Sequence, residues 1–285
     1  MKLTARGSIL DLSCPQVMGI LNVTPDSFSD GGTHNTFDTA LRHAAKMIEE
    51  GATIIDVGGE STRPGADEVS EQEELDRVVP VIEALAQRFD AWISVDTSKA
   101  VVMRESAKAG VHIINDIRAL QEPGALDAAA KTGLPVCLMH MQGQPHTMQT
   151  EPHYEDVLSE VKTFLIWQIE LCVAAGIAKN NLILDPGFGF GKNLSHNYHL
   201  LAHLQEFHHL GLPILVGMSR KSMIGKLLHV PPPESVIGSV SCAVIAAMQG
   251  AQIIRVHDVK ETVQAMQIVQ ATLSTKNTMS AKNTL

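Results

Sequence analysis

Six segments of helical composition end in a glycine, at Gly51, Gly110, Gly133, Gly176, Gly211 and Gly250, and each hands over to a short apolar run that finishes on polar residues. A glycine just past a helix supplies the left-handed conformation at little steric cost. Runs rich in Ile, Val and Leu, roughly four to eight residues long, read as buried strands. They are TIIDVGG, VHIINDI, LPVCLMH, NLILDPG, PILVGMSR and QIIRVHD. Two further runs, VMGILNV and WISVDTS, lack the leading glycine but end in the same way. Eight strands separated by helices are the count that closes a parallel barrel, so the chain reads as a single (β/α)8 TIM barrel. Active sites in such barrels lie at the C-terminal strand ends, which makes the polar endings candidates for chemistry.

A chain of 285 residues, 45% hydrophobic and 19% charged, suits one large barrel. No internal stretch reads as a linker, and Pro231 to Pro233 is short enough to be a loop between helices. We therefore expect a barrel over residues 1–275 and a polar, frayed tail over 276–285. Residues 1–14 hold two short alternating pieces around Gly7, which predict a hairpin closing the bottom of the barrel. A net charge of −9 without a basic stripe argues against a nucleic-acid surface, while a small anionic substrate needs only a few converging cations. The four cysteines show no C-x-x-C spacing and read as reduced and buried, as in a cytoplasmic protein. No run of about 18 apolar residues and no leader with a cleavage site is present, so neither membrane spanning nor secretion is expected.

Read in order, the strand ends offer Asn22, Asp56, Asp96, Asn115, His140 and Asp185, then Ser219 with Arg220 and Lys221, and finally Arg255 with His257. Asp96, Asn115, Asp185 and Lys221 suit the donor and acceptor edge of a flat polar heterocycle. Asn22, Arg63, Arg255 and His257 suit an anion. The bland alternative for a loop carboxylate is a helix cap. Thr97 and Ser98 are both available to cap the helix after Asp96, and no helix begins at the Pro186-Gly187 pair after Asp185. Asp56 reads as orienting Asn22 or the loop of the second barrel strand. Arg255 and His257, two residues apart on one strand, point the same way and make a cationic pair.

GFGFGK, residues 187–192, fails as a phosphate loop, because Pro186 and Asn193 stand where that motif needs Gly and Ser or Thr. Its glycines read as letting the loop pass close to a ligand, with Phe190 as a stacking face. Lys221 is either a Schiff-base lysine or a cationic hydrogen-bond donor. Ser70 and Glu73 predict a capping box. His199 and His203 sit one helical turn apart without a third metal ligand, and His140 reads as a hydrogen-bonded core histidine. TPDSFSDGGTHN, whose Gly31 and Gly32 can take conformations closed to other residues, predicts a mobile lid, GGESTRPGADE a second flexible loop and MQGQPHTMQTEPHY a third long loop.

MGILNVTPDSFSDGG (Met18 to Gly32) and IIDVGGESTRPGA (Ile54 to Ala66) resemble the two signature segments of the dihydropteroate synthase family. The resemblance continues in order through SVDTSK, HIINDI, LMHMQG, DPGFGFGKN, VGMSRKSMIG and IRVHDV, over nearly the whole chain. It implies condensation of 6-hydroxymethyl-7,8-dihydropterin diphosphate with 4-aminobenzoate in folate synthesis, in an enzyme that is a sulfonamide target. Asp96, Asn115, Asp185 and Lys221 would then hold the pterin, beside Ile117, Met139, Phe190 and Gly217. The diphosphate would lie among Asn22, Thr62, Arg63, Arg255 and His257. Aminobenzoate would be framed by Phe28, Thr62, Pro64 and Phe190, with Ser219, Arg220 and Ser222. Mg²⁺ would be bound by Asn22 and Asp30, and Asp30, Asp96, Asp185, Lys221 and Arg255 would act in catalysis. The resemblance also implies a homodimer with small-molecule substrates alone. Rival readings are a methyltetrahydrofolate–corrinoid methyltransferase built on a similar pterin-holding barrel, a Schiff-base lyase through Lys221, and a pterin-binding protein without catalysis.

Overall fold

The computed structural model describes residues 1–24, 32–60, 69–143, 148 and 151–282, with backbone only at 32–36 and 276–282. Strands β1 (Lys2–Ala5) and β2 (Ser8–Asp11) form an antiparallel hairpin that pairs Lys2 with Asp11. Its turn is tight because Arg6 and Gly7 both take positive φ, 53° and 80°. Then come β3 (Gln16–Asn22), α1 (Gly32–Glu49), β4 (Ile54–Gly58), α2 (Glu71–Arg88), β5 (Trp92–Asp96) and α3 (Ala100–Ala109). The middle of the chain gives β6 (Ile113–Asp116), α4 (Ala125–Thr132), β7 (Val136–Met139), α5 (Val157–Ala174), β8 (Leu182–Asp185) and α6 (Leu194–Ala202). The rest gives β9 (Leu215–Val216), α7 (Ser222–Leu228), α8 (Val236–Met248), β10 (Ile253–Val256) and α9 (Val259–Lys282).

All eight strand runs form, and they lie in the order β8-β7-β6-β5-β4-β3-β10-β9, every pair parallel. A parallel bridge from Leu184 to Ile214, beside a 2.9 Å bond from Leu184 N–H to the Pro213 carbonyl, joins β8 to the β9 segment and closes the ring. The six helix-terminating glycines all have positive φ, from 68° at Gly133 to 124° at Gly110, so the punctuation read from sequence is a backbone requirement. β4, β6, β7 and β8 are buried on both faces, one toward the barrel interior and one beneath the helices. Each Ile or Leu so buried stabilises the fold by roughly 1.5–3 kcal/mol. The hairpin adds Leu3, Ala5 and Leu10 to this core, and Arg6 donates to the carbonyl of Ala107 near the end of α3. It thus covers the end of the barrel opposite the C-terminal strand ends.

Local capping departs from expectation in two places. Ser70 accepts the Glu73 N–H, but Glu73 pairs with Arg77, so only half of the capping box exists. Neither Thr97 nor Ser98 is the N-cap of α3; that position is Lys99, whose N–H goes to Thr97 Oγ1 at 3.2 Å, while the Ser98 hydroxyl bonds Asp116. At the other end, α9 is helical to Lys282, in a stretch that contains neither Gly nor Pro. All four cysteines are free and three are buried. Among the described residues no helix is long and apolar enough to cross a membrane.

Candidate active site

Register alone lines up one side of the barrel mouth. Asn22 pairs with Gly58, Gly58 with Asp96 and Asp96 with Asn115, a row across β3 to β6 at their C-terminal ends. Asp56 lies two residues below Gly58 on the same face of β4 and is fully buried. From β10, Arg255 reaches both carboxylates: Nε donates to Asp56 Oδ2 at 2.6 Å and Nη2 to Asp96 Oδ2 at 2.7 Å. Asn115 Nδ2 donates to the same Asp56 oxygen at 3.1 Å, which fixes the amide so that its carbonyl is left for a ligand. The other Asp56 oxygen is buried with no hydrogen-bond partner.

Two carboxylates share one guanidinium here, so an excess of negative charge sits out of water. Burial pushes the Asp96 carboxyl up to about 7, with Arg255 opposing and Asp56 adding to the rise. Burial alone would lower Arg255, but Asp56 and Asp96 overcome that and hold the guanidinium charged. Such a well favours a ligand that brings N–H donors or positive charge.

The opposite wall comes from β8 and β9. Asp185 accepts the Gly187 N–H at 2.7 Å; burial raises its pKa, against the pull of Lys221. Lys221 donates to the Phe188 carbonyl at 2.6 Å and lies 4.4 Å from the centroid of the Phe190 ring. Burial lowers its amine to about 8, with Asp185 working the other way and Arg255 and Asp96 also felt. Beneath both walls the Cys137 thiol is raised by burial and then by Asp185 and Asp56, so all these carboxylates share one well. Ile117, Met139, Met148 and Phe190 pack as a small apolar cluster separate from the main core. Gly217 stands between the two cations: a Cβ there would lie 3.7 Å from Arg255 Cβ and 3.9 Å from Lys221 Nζ. The result is a slot with an apolar flank and a hydrogen-bonding edge, the shape and chemistry of a flat, polar, fused-ring base.

Several expectations change. Asp56 orients Asn115 and Arg255, because Arg255 is long enough to cross the barrel; most of the loop after β4 lies outside the described residues. Of the Arg255 and His257 pair, the guanidinium is drawn into the acidic well, while His257, beyond the end of β10, meets Ser219 Oγ at 3.1 Å through Nδ1. Arg220 takes a left-handed φ of 57°, which swings its guanidinium onto Asp258 (Nε to Oδ2 3.0 Å). Ser222 is exposed as the first residue of α7. Gly187 and Gly191 of the GFGFGK segment serve close approach to the chain after β7, where a Cβ on Gly187 would lie 1.8 Å from the His140 carbonyl oxygen, while Gly189 faces the Lys221 side chain. Residues Phe28, Asp30, Thr62, Arg63 and Pro64 lie outside the described residues. Met148 and Lys192 belong to this region and were missed. Met148 sits in a polar segment with no periodicity to flag it, and the burial of Lys192 follows only from backbone packing.

A barrel whose C-terminal mouth holds such a slot has the build of a pterin binding enzyme, and the family model of that description matches residues 18–257. The dihydropteroate synthase of Escherichia coli K12 is 73% identical over 276 residues, covering 97% of this chain and 98% of its own. That of Haemophilus influenzae is 61% identical over 95% of this chain and 99% of its own. A Yersinia pestis dihydropteroate synthase structure with a sulfonamide drug complex superposes with a TM-score of 0.93 at 76% identity, over 96% of this chain and 100% of that one. The chain belongs to the dihydropteroate synthase family.

Proposed function

We propose that the acidic slot is where this chain condenses 6-hydroxymethyl-7,8-dihydropterin diphosphate with 4-aminobenzoate, giving 7,8-dihydropteroate and diphosphate. The activity is the family's, a transfer of the pterinylmethyl group. The observation that carries the reading is the grouping of Asp56, Asp96, Asn115, Asp185 and Lys221 around Arg255 in one desolvated well. Asp96 and Asp185 would accept the ring N–H groups, Asn115 and Lys221 would meet its acceptor atoms, and Ile117, Met139 and Phe190 would cover its faces.

In this scheme the C–O bond breaks first and its electron pair leaves on the diphosphate. The resulting pterin methylene cation is conjugated with the ring, and the carboxylates beneath it stabilise the positive charge. The arylamine lone pair then forms the C–N bond, and the surplus proton leaves to solvent. A weak nucleophile without a strong base nearby suits an electrophile that forms early. Asn22, Thr62, Arg63, Arg255 and His257 would surround the leaving group. Phe28, Thr62, Pro64, Ser219, Arg220 and Ser222 would frame aminobenzoate, with Asp30 near the metal.

Among the described residues no group of three His, Cys, Asp or Glu side chains could hold a metal ion. Mg²⁺ keeps several waters and binds through one or two protein oxygens together with phosphate oxygens. The Asn22 carboxamide, at the mouth end of β3, would offer one such oxygen, and Asp30 would supply the other by resemblance to the family. When bound, the ion would supply neutralisation of charge gathering on the departing diphosphate. A homodimer is part of the same proposal, because α8 and α9 turn Ile237, Ile245, Met248 and Ile268 outward, an apolar surface for a second copy to cover. The free thiols suit the cytoplasm.

The test is ordered binding plus turnover. Aminobenzoate should bind only when pterin diphosphate or diphosphate is present, and dihydropteroate should form in the presence of Mg²⁺. Equal aminobenzoate affinity in the ligand-free protein would sink the scheme.

A further inference from the structure

Lys192, the last residue of the GFGFGK segment, and His140 have no part in the chemistry above, and they meet in one place. Lys192 ends the segment with 2% of its surface exposed. Among the described residues no carboxylate lies within ion-pair distance of it. Its ammonium donates instead to the carbonyls of Gly187 at 2.9 Å and Phe190 at 3.0 Å, and it meets His140 Nδ1 at 2.9 Å, with the His140 carbonyl at 3.4 Å. Burial, reinforced by the Lys192 charge, holds the His140 imidazole neutral, down to about 2, so Nδ1 is available as an acceptor. The loop is pressed onto the chain after β7: a Cβ on Gly191 would lie 2.3 Å from the Gln142 carbonyl oxygen, and Tyr154 donates to the Gly191 carbonyl at 2.8 Å.

The same loop sets both groups of the second wall. Gly187 donates to Asp185, the Phe188 carbonyl receives Lys221 Nζ, and the Phe190 ring lies against that amine. We propose that Lys192 is a positioning residue for the pterin slot, tying the Gly187 and Phe190 carbonyls to the His140 end of β7 and so setting where Asp185 and Lys221 meet the ligand. The inference rests on reading the slot as the pterin site. Lys192 touches no substrate; its effect passes through the loop backbone. A misplacement of about 1 Å at such groups can cost on the order of 100-fold.

The experiment titrates 6-hydroxymethyl-7,8-dihydropterin diphosphate into wild type, Lys192→Met, Lys192→Gln and Tyr154→Phe, with circular dichroism reporting the fold and steady-state assays giving both KM values. Lys192→Met should weaken pterin diphosphate binding by about 10-fold or more, while the aminobenzoate KM at saturating pterin diphosphate stays within about twofold. Lys192→Gln, whose amide can still donate to two carbonyls, should recover part of the loss. Should Lys192→Met fail to fold, Lys192→Gln and Tyr154→Phe carry the test, and both should still bind pterin diphosphate more weakly than wild type. Folded variants with wild-type pterin affinity, or equal losses for the two substrates, overturn the role of Lys192. Wild-type protein that binds no pterin diphosphate overturns the reading of the slot itself, a result distinguishable from the first.

Discussion

The two sides of the barrel mouth bury charge in opposite ways. On the β4 to β6 side charge answers charge: Arg255 bridges Asp56 and Asp96 while one Asp56 oxygen stays unpartnered. On the β7 to β8 side a lone ammonium is held by backbone carbonyls and one imidazole nitrogen. The first arrangement has unmet hydrogen-bonding capacity and an excess of negative charge, so it can transfer contacts to a ligand. In the second every donor of the Lys192 amine, which burial lowers to about 7 against the pull of Asp185, is consumed by the frame, each bond contributing roughly 0.5–1.5 kcal/mol for the neutral amine and roughly 1.5–3 kcal/mol for the charged one. One wall is built to exchange partners and the other to stay in place.

The largest effect should come from breaking the rigid wall. Gly187→Ala puts a methyl 1.8 Å from the His140 carbonyl oxygen at a φ of +72°, and we expect a loss of about 4 kcal/mol or more, or failure to fold, in urea unfolding. A variant melting like wild type would mean that the two chains are not pressed together. Next is the exchanging wall. Arg255→Met leaves Asp56 and Asp96 buried without a cation, and kcat/KM for pterin diphosphate should fall by about 10³; activity within tenfold of wild type would break the contrast.

A third prediction sharpens it through pH. The Asp96 pKa is raised from 3.8 to about 7, so folding favours its protonated form, and that contribution is full below 3.8 and lost as pH climbs through about 7. Asp96→Asn removes this titration. Wild type should therefore lose up to a few kcal/mol of stability relative to the variant between pH 4 and 7, at about 1.4 kcal/mol per unit. Parallel stability curves would show that Asp96 is ionised throughout. Smaller still is Gly211→Ala, at a φ of +74° with nothing within 4 Å; it should cost only about 1–2 kcal/mol, well below Gly187→Ala at nearly the same φ. Smallest is Asp258→Asn, which weakens an ion pair whose Arg220 side chain is 34% exposed and should shift stability by no more than about 1 kcal/mol.

Much of the architecture is readable residue by residue. Gly51, Gly110 and their four counterparts mark real helix ends because the left-handed conformation is a local property. The strand runs are legible because burial on both faces leaves a continuous apolar stretch. Candidate chemistry at Asp96, Asn115, Asp185 and Lys221 follows from strand-end position alone. Partnerships do not follow. Asp56 and Arg255 are 199 residues apart, and nothing near either one specifies the other. The GFGFGK glycines show the same limit: their composition announces close approach, yet whether ligand or chain lies opposite depends on the segment after β7.

What the chain's own order of residues determined is the count of strands, their direction and which polar groups stand at the mouth, since these depend on short-range periodicity and backbone preference. The pairing of those groups was decided only by closure of the ring, which brings β10 back beside β3 and lets Arg255 cross to Asp56 and Asp96. The reason is physical: desolvation makes each buried charge find a partner, and which partner is within reach is a property of the closed barrel.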